Sequence, residues 1–224
     1  MPRCWRELRT VALEPAIYLI DTDKAFVETA SALASSMHIA LRTFNAASEF
    51  LRQFNASSPG CLILEMRLPD MSGLDLQKQL LRAPISPPVI FVTAHADVRA
   101  VVRAKQQGAF RLMTKQGLSE TELWGAIMDA LAVDREARLR HERRQELVAR
   151  LDALTLDERR TFDMLLSDND MAAIAAALGI TRRSAEKRRT RIMGKLGLDN
   201  LADLVRFGVD AGLLPPRRET PPLR

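Results

Sequence analysis

Five short apolar runs, each followed by an amphipathic stretch of helical length, occupy the first half of the chain and leave it few possible folds. The runs are AIYLI (16–20), IALRTF (39–44), CLIL (61–64), VIFVT (89–93) and AFRLM (109–113). Aliphatic, β-branched and too short for buried helices, they read as strands. The intervening DKAFVETASALASSM, AASEFLRQF, GLDLQKQLL and DVRAVVRAKQQ read as helices, each opened by a cap or turn residue. Such alternation predicts a doubly wound α/β domain, a five-stranded parallel sheet with helices on both faces. Polar residues at the carboxyl ends of such strands meet in one crevice. Here they are Asp21 and Asp23 after the first strand, Glu65 after the third, Thr93 at the end of the fourth and Lys115 after the fifth.

No strand signal follows Ser119. Arg135, Arg138, Arg140, Arg143 and Arg144 alternate with Glu136, Glu142 and Glu146, which predicts a fifth helix running on as a solvated linker to about Leu154. A coiled-coil seam through Leu147, Leu151 and Leu154 is the alternative, but the apolar stripe lapses between Leu139 and Leu147. The remainder is all helix. Thr155 and Glu158 form a T-x-x-E capping box opening LDERRTFDMLL. Asp170 caps MAAIAAAL, Gly179 breaks it, and Thr181 caps RRSAEKRRTRIMGKL before Gly197 ends it. A last helix, LADLVRFGVDAGLL, is expected to stop only at Pro215, and PPRRETPPLR to be disordered.

A net charge of +5 and a pI of about 9.7 say little alone; their distribution says more. Residues 182–195 hold seven basic residues, Arg182, Arg183, Lys187, Arg188, Arg189, Arg191 and Lys195, against one acid, Glu186. On a helix, Ala185, Ile192 and Leu196 form a stripe that packs inward, while Arg183, Glu186, Lys187 and Thr190 face away. A short helix, a glycine turn and a cationic second helix match a helix-turn-helix that enters a DNA major groove, with flanking cations neutralising phosphates. A plain solvated basic face is the competing reading. The agreement of cap, break, cap and charge cluster favours double-stranded DNA as partner.

Other classes find little support. No apolar run approaches the roughly 20 residues that cross a bilayer, and MPRCWRELRTVALEP lacks a signal peptide's apolar middle, so a cytoplasmic protein with no membrane partner is expected. Cys4 and Cys61 have no Cys or His nearby, which argues against disulfides and zinc. His38, His95 and His141 are scattered, leaving the crevice without an acid–base histidine; neither an enzyme nor a cofactor is expected.

IYLIDTD, CLILEMRLPDMSGLDLQ, VIFVTAHADV and GAFRLMTK resemble the flavodoxin-like receiver domain of the FixJ/NarL class of two-component response regulators. LTLDERRTFDMLL with IAAALGITRRSAEKRRTRIMGKLGLDNLADLVRF resembles the LuxR-type DNA-binding domain. The resemblance implies an N-terminal extension (1–15), a receiver (16–133), a helical linker (134–153), a helix-turn-helix domain (154–214) and a tail (215–224). It places Glu186, Lys187 and Thr190 where base edges are read, with Arg183, Arg188, Arg189 and Lys195 near the DNA backbone. Met171 and Ala172 stand where the family usually has Asn and Lys, removing phosphate anchors there. A homodimer is implied, joined through the last helix (Leu204, Val205, Val209) or the receiver's fourth (Val98, Val101, Val102), with packing inside one subunit as the alternative for either set. A histidine kinase or another regulator is a further partner.

A working receiver of that class has a phosphate-accepting aspartate at the end of its third strand, an acidic pair after the first that holds magnesium, a Thr or Ser after the fourth and a Lys-Pro after the fifth. Asp21, Thr93 and Lys115 match. Thr22 replaces the second acid, Glu65 the phosphoacceptor, Gln116 the proline and Leu112 an aromatic switch residue. Glutamate carries its carboxylate about 1.5 Å further out, and a misplacement of about 1 Å costs on the order of 100-fold in rate. Thr22 removes a carboxylate of the kind that holds magnesium. A weak site at Asp21, Asp23 and Glu65 stays open, but Lys115 can supply the counter-charge alone by pairing with Glu65 or Asp21. The expectation is a DNA-binding regulator whose degenerate receiver is not controlled by aspartyl phosphorylation. A conventional phosphorylation-dependent regulator and an interaction module without signalling chemistry are the alternatives.

Overall fold

The computed structural model describes residues 14–94, 97–167 and 170–214. Most of the N-terminal extension, His95 and the tail from Pro215 lie outside the described residues. In chain order the elements are β1 (Ala16–Ile20), α1 (Lys24–Ser36), β2 (Ala40–Phe44), α2 (Ala47–Gln53), β3 (Gly60–Leu64), α3 (Gly73–Leu80), β4 (Val89–Thr93), α4 (Val98–Gln106), β5 (Arg111–Thr114), α5 (Glu120–Asp152), α6 (Leu156–Ser167), α7 (Met171–Ala177), α8 (Arg182–Leu196) and α9 (Leu201–Asp210). The strands form one parallel sheet in the order β2-β1-β3-β4-β5. The expected α/β architecture is therefore present, and its order reverses between β1 and β3, where such sheets open a crevice. Among the described residues no helix is long and apolar enough to cross a membrane.

Period-two alternation divides the strands between two cores. Tyr18, Ile20, Leu62, Leu64 and Phe91 pack with Phe50, Leu76 and Leu80 on one face of the sheet. Ile17, Leu19, Cys61, Ile63, Ile90 and Val92 pack with Ala34, Leu123 and Ile127 on the other. Coverage on both sides explains why β1, β3 and β4 read as unbroken apolar runs. Burial pushes the Cys61 thiol up to about 12, so it stays protonated and serves as packing. Phe50 binds α2 to the sheet through the rings of Tyr18 and Phe44 at centroid distances of 5.8 and 5.4 Å, and stacks on Phe54 at the end of its own helix at 4.7 Å. The N-cap of α2, Ala46, offers no side-chain cap of its own. Asp70, from the loop after β3, fills that role by accepting from the Ala47 and Ser48 amides at 3.1 and 2.8 Å.

The chain divides into two compact units between Leu139 and Arg140, inside α5. Most of residues 134–153 are exposed, and the helix is fixed by a few side chains near the two ends of that stretch. Asp134 is buried and accepts from the Gly60 amide at 2.9 Å and from Arg138 Nε at 2.8 Å. Arg138 in turn donates to the carbonyls of Ala56, Ser57 and Ser58. Further along, Leu151 and Leu154 are buried with Phe162, Leu165, Ile192 and Phe207, and Leu147 packs against them. These leucines face their own subunit's core rather than a partner helix. Only about one helical turn on each side is covered, so charged residues dominate the rest of the circumference and conceal the short apolar stripe.

The second unit is built as its caps predict, with one correction. α9 stops at Asp210 instead of running to Pro215. Gly212 takes a left-handed φ of 75°, and the amides of Leu213 and Leu214 turn back to the Gly208 carbonyl at 2.8 and 3.1 Å. Both bonds of the capping box form: Thr155 N donates to Glu158 Oε2 (2.9 Å) and Glu158 N to Thr155 Oγ1 (3.3 Å). Lys195 Nζ of α8 also donates to Glu158 Oε2, at 2.6 Å.

That hydrogen bond, followed by the one from the Thr155 amide, holds the Glu158 carboxyl below its ordinary value of 4.5. Glu158 has almost no accessible surface, but the desolvation it suffers is smaller than the gain from these partners. A depressed carboxylate contributes stability that is complete above its unfolded value and is lost as pH falls through the folded one. The stability difference between wild type and Glu158→Gln is therefore expected to be full near neutral pH and to shrink steadily below the ordinary carboxylate range. Urea unfolding at a series of pH values checks this; a difference independent of pH would mean that the pair contributes nothing.

Candidate functional site

The ends of β1, β3, β4 and β5 bring Asp21, Thr22, Asp23, Glu65, Thr93 and Lys115 together around a crevice of about 240 Å³. Lys115 organises it. Its Nζ donates to Asp21 Oδ1 at 2.9 Å and to Asp23 Oδ2 at 3.2 Å, and lies 3.3 Å from Glu65 Oε2. Asp21 Oδ2 is only 2.8 Å away, yet it accepts no hydrogen bond among the described residues. Glu65 curls back on its own chain, with Oε1 accepting from the Met66 amide at 2.7 Å. Gly73, at the start of α3, lets that helix close over the end of β3, since a Cβ there would stand 2.5 Å from the Glu65 carbonyl oxygen.

The charges in the crevice are unequal in environment. Burial pushes the Asp21 carboxyl up, against the hydrogen bond from Lys115. The same ammonium holds the more exposed Asp23 below its usual range. Burial opposes the charge on Lys115, but Asp21, Asp23 and Glu65 outweigh it and hold the group above its ordinary value. Arg67 also lines the crevice, exposed and without an ion pair among the described residues. Reading only the strand ends misses it. The backbone bridge between Arg67 and Ser72 folds the loop after β3 onto itself, and the PDMSG turn is the sequence signal for that fold.

In the second unit, α7, a turn at Gly179 and α8 form a helix-turn-helix. Ala185, Ile192 and Leu196 of α8 are wholly buried. Its cations separate into two groups. Arg183, Lys187 and Arg191 form an exposed row at i, i+4 and i+8 with no ion pair among the described residues. Beside them Arg182 pairs with Glu186 at 3.1 Å, and the Thr190 hydroxyl donates to the Glu186 carbonyl. Arg188 is turned toward α6, where it donates to Thr161 Oγ1 and the Asp157 carbonyl and pairs with the Asp157 carboxylate. Lys195 is held by Glu158 and the Ala153 carbonyl, and Arg189 is half-buried.

Residues 17–127 match the family model of the response regulator receiver domain. The response regulator protein TodT of Pseudomonas putida is 36% identical over 190 residues, which cover 85% of this chain and 83% of TodT. The transcriptional regulatory protein FixJ of Azorhizobium caulinodans is 30% identical over 205 residues, covering 92% of this chain and 97% of FixJ. The solved structure of the response regulator StyR is 33% identical with a TM-score of 0.72, covering 87% of this chain and 98% of StyR. The chain belongs to the response regulator family.

A receiver of this family is expected to hold magnesium beside its phosphoacceptor, and this response regulator's crevice does not fit a divalent ion. Thr22 offers no carboxylate, and the Lys115 ammonium stands within 3.3 Å of an oxygen of Asp21, Asp23 and Glu65 alike. Among the described residues no group of three or more His, Cys, Asp or Glu is placed to hold a metal ion. The regulator's crevice is a closed set of ion pairs.

Proposed function

We propose that this response regulator is a DNA-binding transcription regulator whose receiver is not switched by aspartyl phosphorylation. The observation that carries the reading is the state of Glu65 at the end of β3. Phosphoryl transfer needs a carboxylate oxygen placed in line and a cation to take up charge on the phosphoryl group. Glu65 Oε1 is bound by the Met66 amide and Oε2 faces Lys115, which is shared with two further acids. Glu65 supplies about one negative charge where a phosphate supplies nearly two. A histidine kinase or second regulator would then meet this unit as a binding partner, not as a phosphate donor.

The Arg183–Lys187–Arg191 row supports reading of double-stranded DNA, with Glu186 accepting from a cytosine amino group and Arg182 beside it. Arg188 and Lys195 serve to hold α8 against α6 before any phosphate is met. Such a helix-turn-helix binds as a homodimer on paired half-sites. Val98 and Val102 of α4 are 75% and 48% exposed and suit a dimer surface, whereas Leu204 is spent in its own core.

Incubation with a small phosphodonor and magnesium, followed by intact mass measurement, tests the receiver half. Wild type is expected to gain no phosphoryl mass and to keep its DNA mobility shift unchanged. Glu65→Asp with Thr22→Asp is expected to gain the adduct. A phosphoryl adduct on wild type that disappears in Glu65→Ala overturns the reading.

A further inference from the structure

We infer that Arg182 and Glu186 act as one unit that sets which duplex this response regulator selects. Arg182 holds the Glu186 carboxylate toward a cytosine amino group, while Arg183 and Lys187 take neighbouring guanines. Each operator half-site is then read as a short run of G·C pairs. The inference rests on the proposed reading of double-stranded DNA and names what that reading selects.

The outer face of α8 is restricted in its chemistry. A recognition helix reads base edges from its N-terminal residues, and the exposed side chains there are Arg182, Arg183, Ser184, Glu186 and Lys187. Ser184 is taken up in the helix cap, its amide and hydroxyl hydrogen-bonded to Thr181 Oγ1 at 3.2 and 2.9 Å. One turn on, Thr190 turns its hydroxyl back to the Glu186 carbonyl at 3.1 Å. What remains is a set of donor-only cations and one acceptor-only carboxylate. The helix contains no Asn or Gln, the side chains that bind adenine through two hydrogen bonds. Guanine, with O6 and N7 as adjacent acceptors, suits Arg183 and Lys187, and cytosine, with its N4 amino group, suits Glu186. Adenine also offers an amino group, but the N7 acceptor beside it would face the carboxylate.

The placement of the pair argues against a purely structural use. Arg182 is the first residue of α8, and no acid lies in that first turn. A cation there opposes the helix dipole, and an arginine four residues before a glutamate is the weaker order for helix support. Yet Arg182 Nε donates to Glu186 Oε1 at 3.1 Å, leaving Oε2 for another donor. The two side chains are 71% and 52% exposed, in contrast to Arg188 and Lys195, which are turned to α6. Held in this way, Glu186 loses rotamer freedom before DNA arrives, which lowers the ordering cost of a base contact. Arg182 is thus a positioning residue and Glu186 the reader.

The test selects duplexes with randomised half-sites on the full chain, then measures mobility shifts on the enriched duplex and its single-pair variants. Wild type is expected to enrich G·C pairs and to lose roughly tenfold in affinity when the cytosine read by Glu186 becomes thymine. Glu186→Gln is expected to move the choice at that one position from cytosine to adenine, because an amide offers both a donor and an acceptor. Arg182→Met is expected to weaken discrimination at the same position and to leave the others unchanged, and Arg182→Lys to restore part of it. Both changed sites are exposed, so all three variants are expected to melt with wild type. A selection for A·T pairs, a Glu186→Gln variant with wild-type preferences, or an Arg182→Met variant whose affinity falls equally on every sequence overturns the inference. Each of those outcomes is read on bound duplex. A chain that retains no duplex at low salt instead overturns the proposed DNA reading, and the inference with it.

Discussion

Leu151→Ala is expected to destabilise the C-terminal unit by about 2–5 kcal/mol, whereas Leu139→Ala in the same helix is expected to change stability by no more than about 0.5 kcal/mol. Leu151 is 3% exposed within a cluster that includes Phe162, Ile192 and Phe207; Leu139 is 55% exposed. Truncating the first removes buried methyl groups and leaves a cavity that the surrounding helices fill only in part. Truncating the second returns surface to water that already had it. Urea denaturation followed by far-ultraviolet circular dichroism measures both. Small and equal effects would mean that Leu151 is not part of the C-terminal unit's core. The expected contrast makes Leu151, at the end of α5, part of the core of the C-terminal unit.

The second large effect is on DNA. Lys187→Ala with Arg191→Ala is expected to weaken duplex binding on the order of 100-fold and to reduce the slope of log affinity against log salt by about 1 for each of the two that meets a phosphate rather than a base edge. Both residues are exposed on α8 and engaged by no ion pair among the described residues, so the fold should be untouched. Arg188→Ala is the instructive comparison. Its guanidinium is occupied by Asp157 and Thr161, so its loss should register as reduced stability as well as reduced affinity. Mobility shifts at two salt concentrations, with unfolding curves for each variant, separate the outcomes. Unchanged affinity in the double variant would leave the row as an ordinary solvated face.

The crevice was legible because its members sit at strand ends. In a parallel sheet one end of every strand faces the same edge, so a polar residue just past an apolar run can be placed without knowing any contact. Asp21, Glu65, Thr93 and Lys115 are found that way, and all four line the crevice. The helix starts were legible for a similar reason: Asp23, Ser72, Asp97, Asp170, Thr181 and Asn200 accept from amides of the turn they precede, a contact between near neighbours.

What escaped the sequence lies between residues far apart along it. Asp70 caps α2 across 22 to 23 positions, and Arg138 holds the loop before β3 across about 80. Neither partnership leaves a periodic trace. The leucines of α5 showed their apolarity but not which surface would cover it, because a stripe specifies that burial is needed and not what supplies it.

By itself, then, the sequence determined the strand-helix order, the parallel sheet, the four strand ends that meet and the cationic outer face of α8, since periodicity and local caps decide each within a few residues. Only the tertiary structure decided that one ammonium serves three carboxylates where pairing with one was expected, and that α8's cations divide into a free row and a pair turned to α6. The physical reason is that charge pairing depends on distances of about 3 Å between groups brought together by the fold, whereas secondary structure is written in the spacing of neighbours.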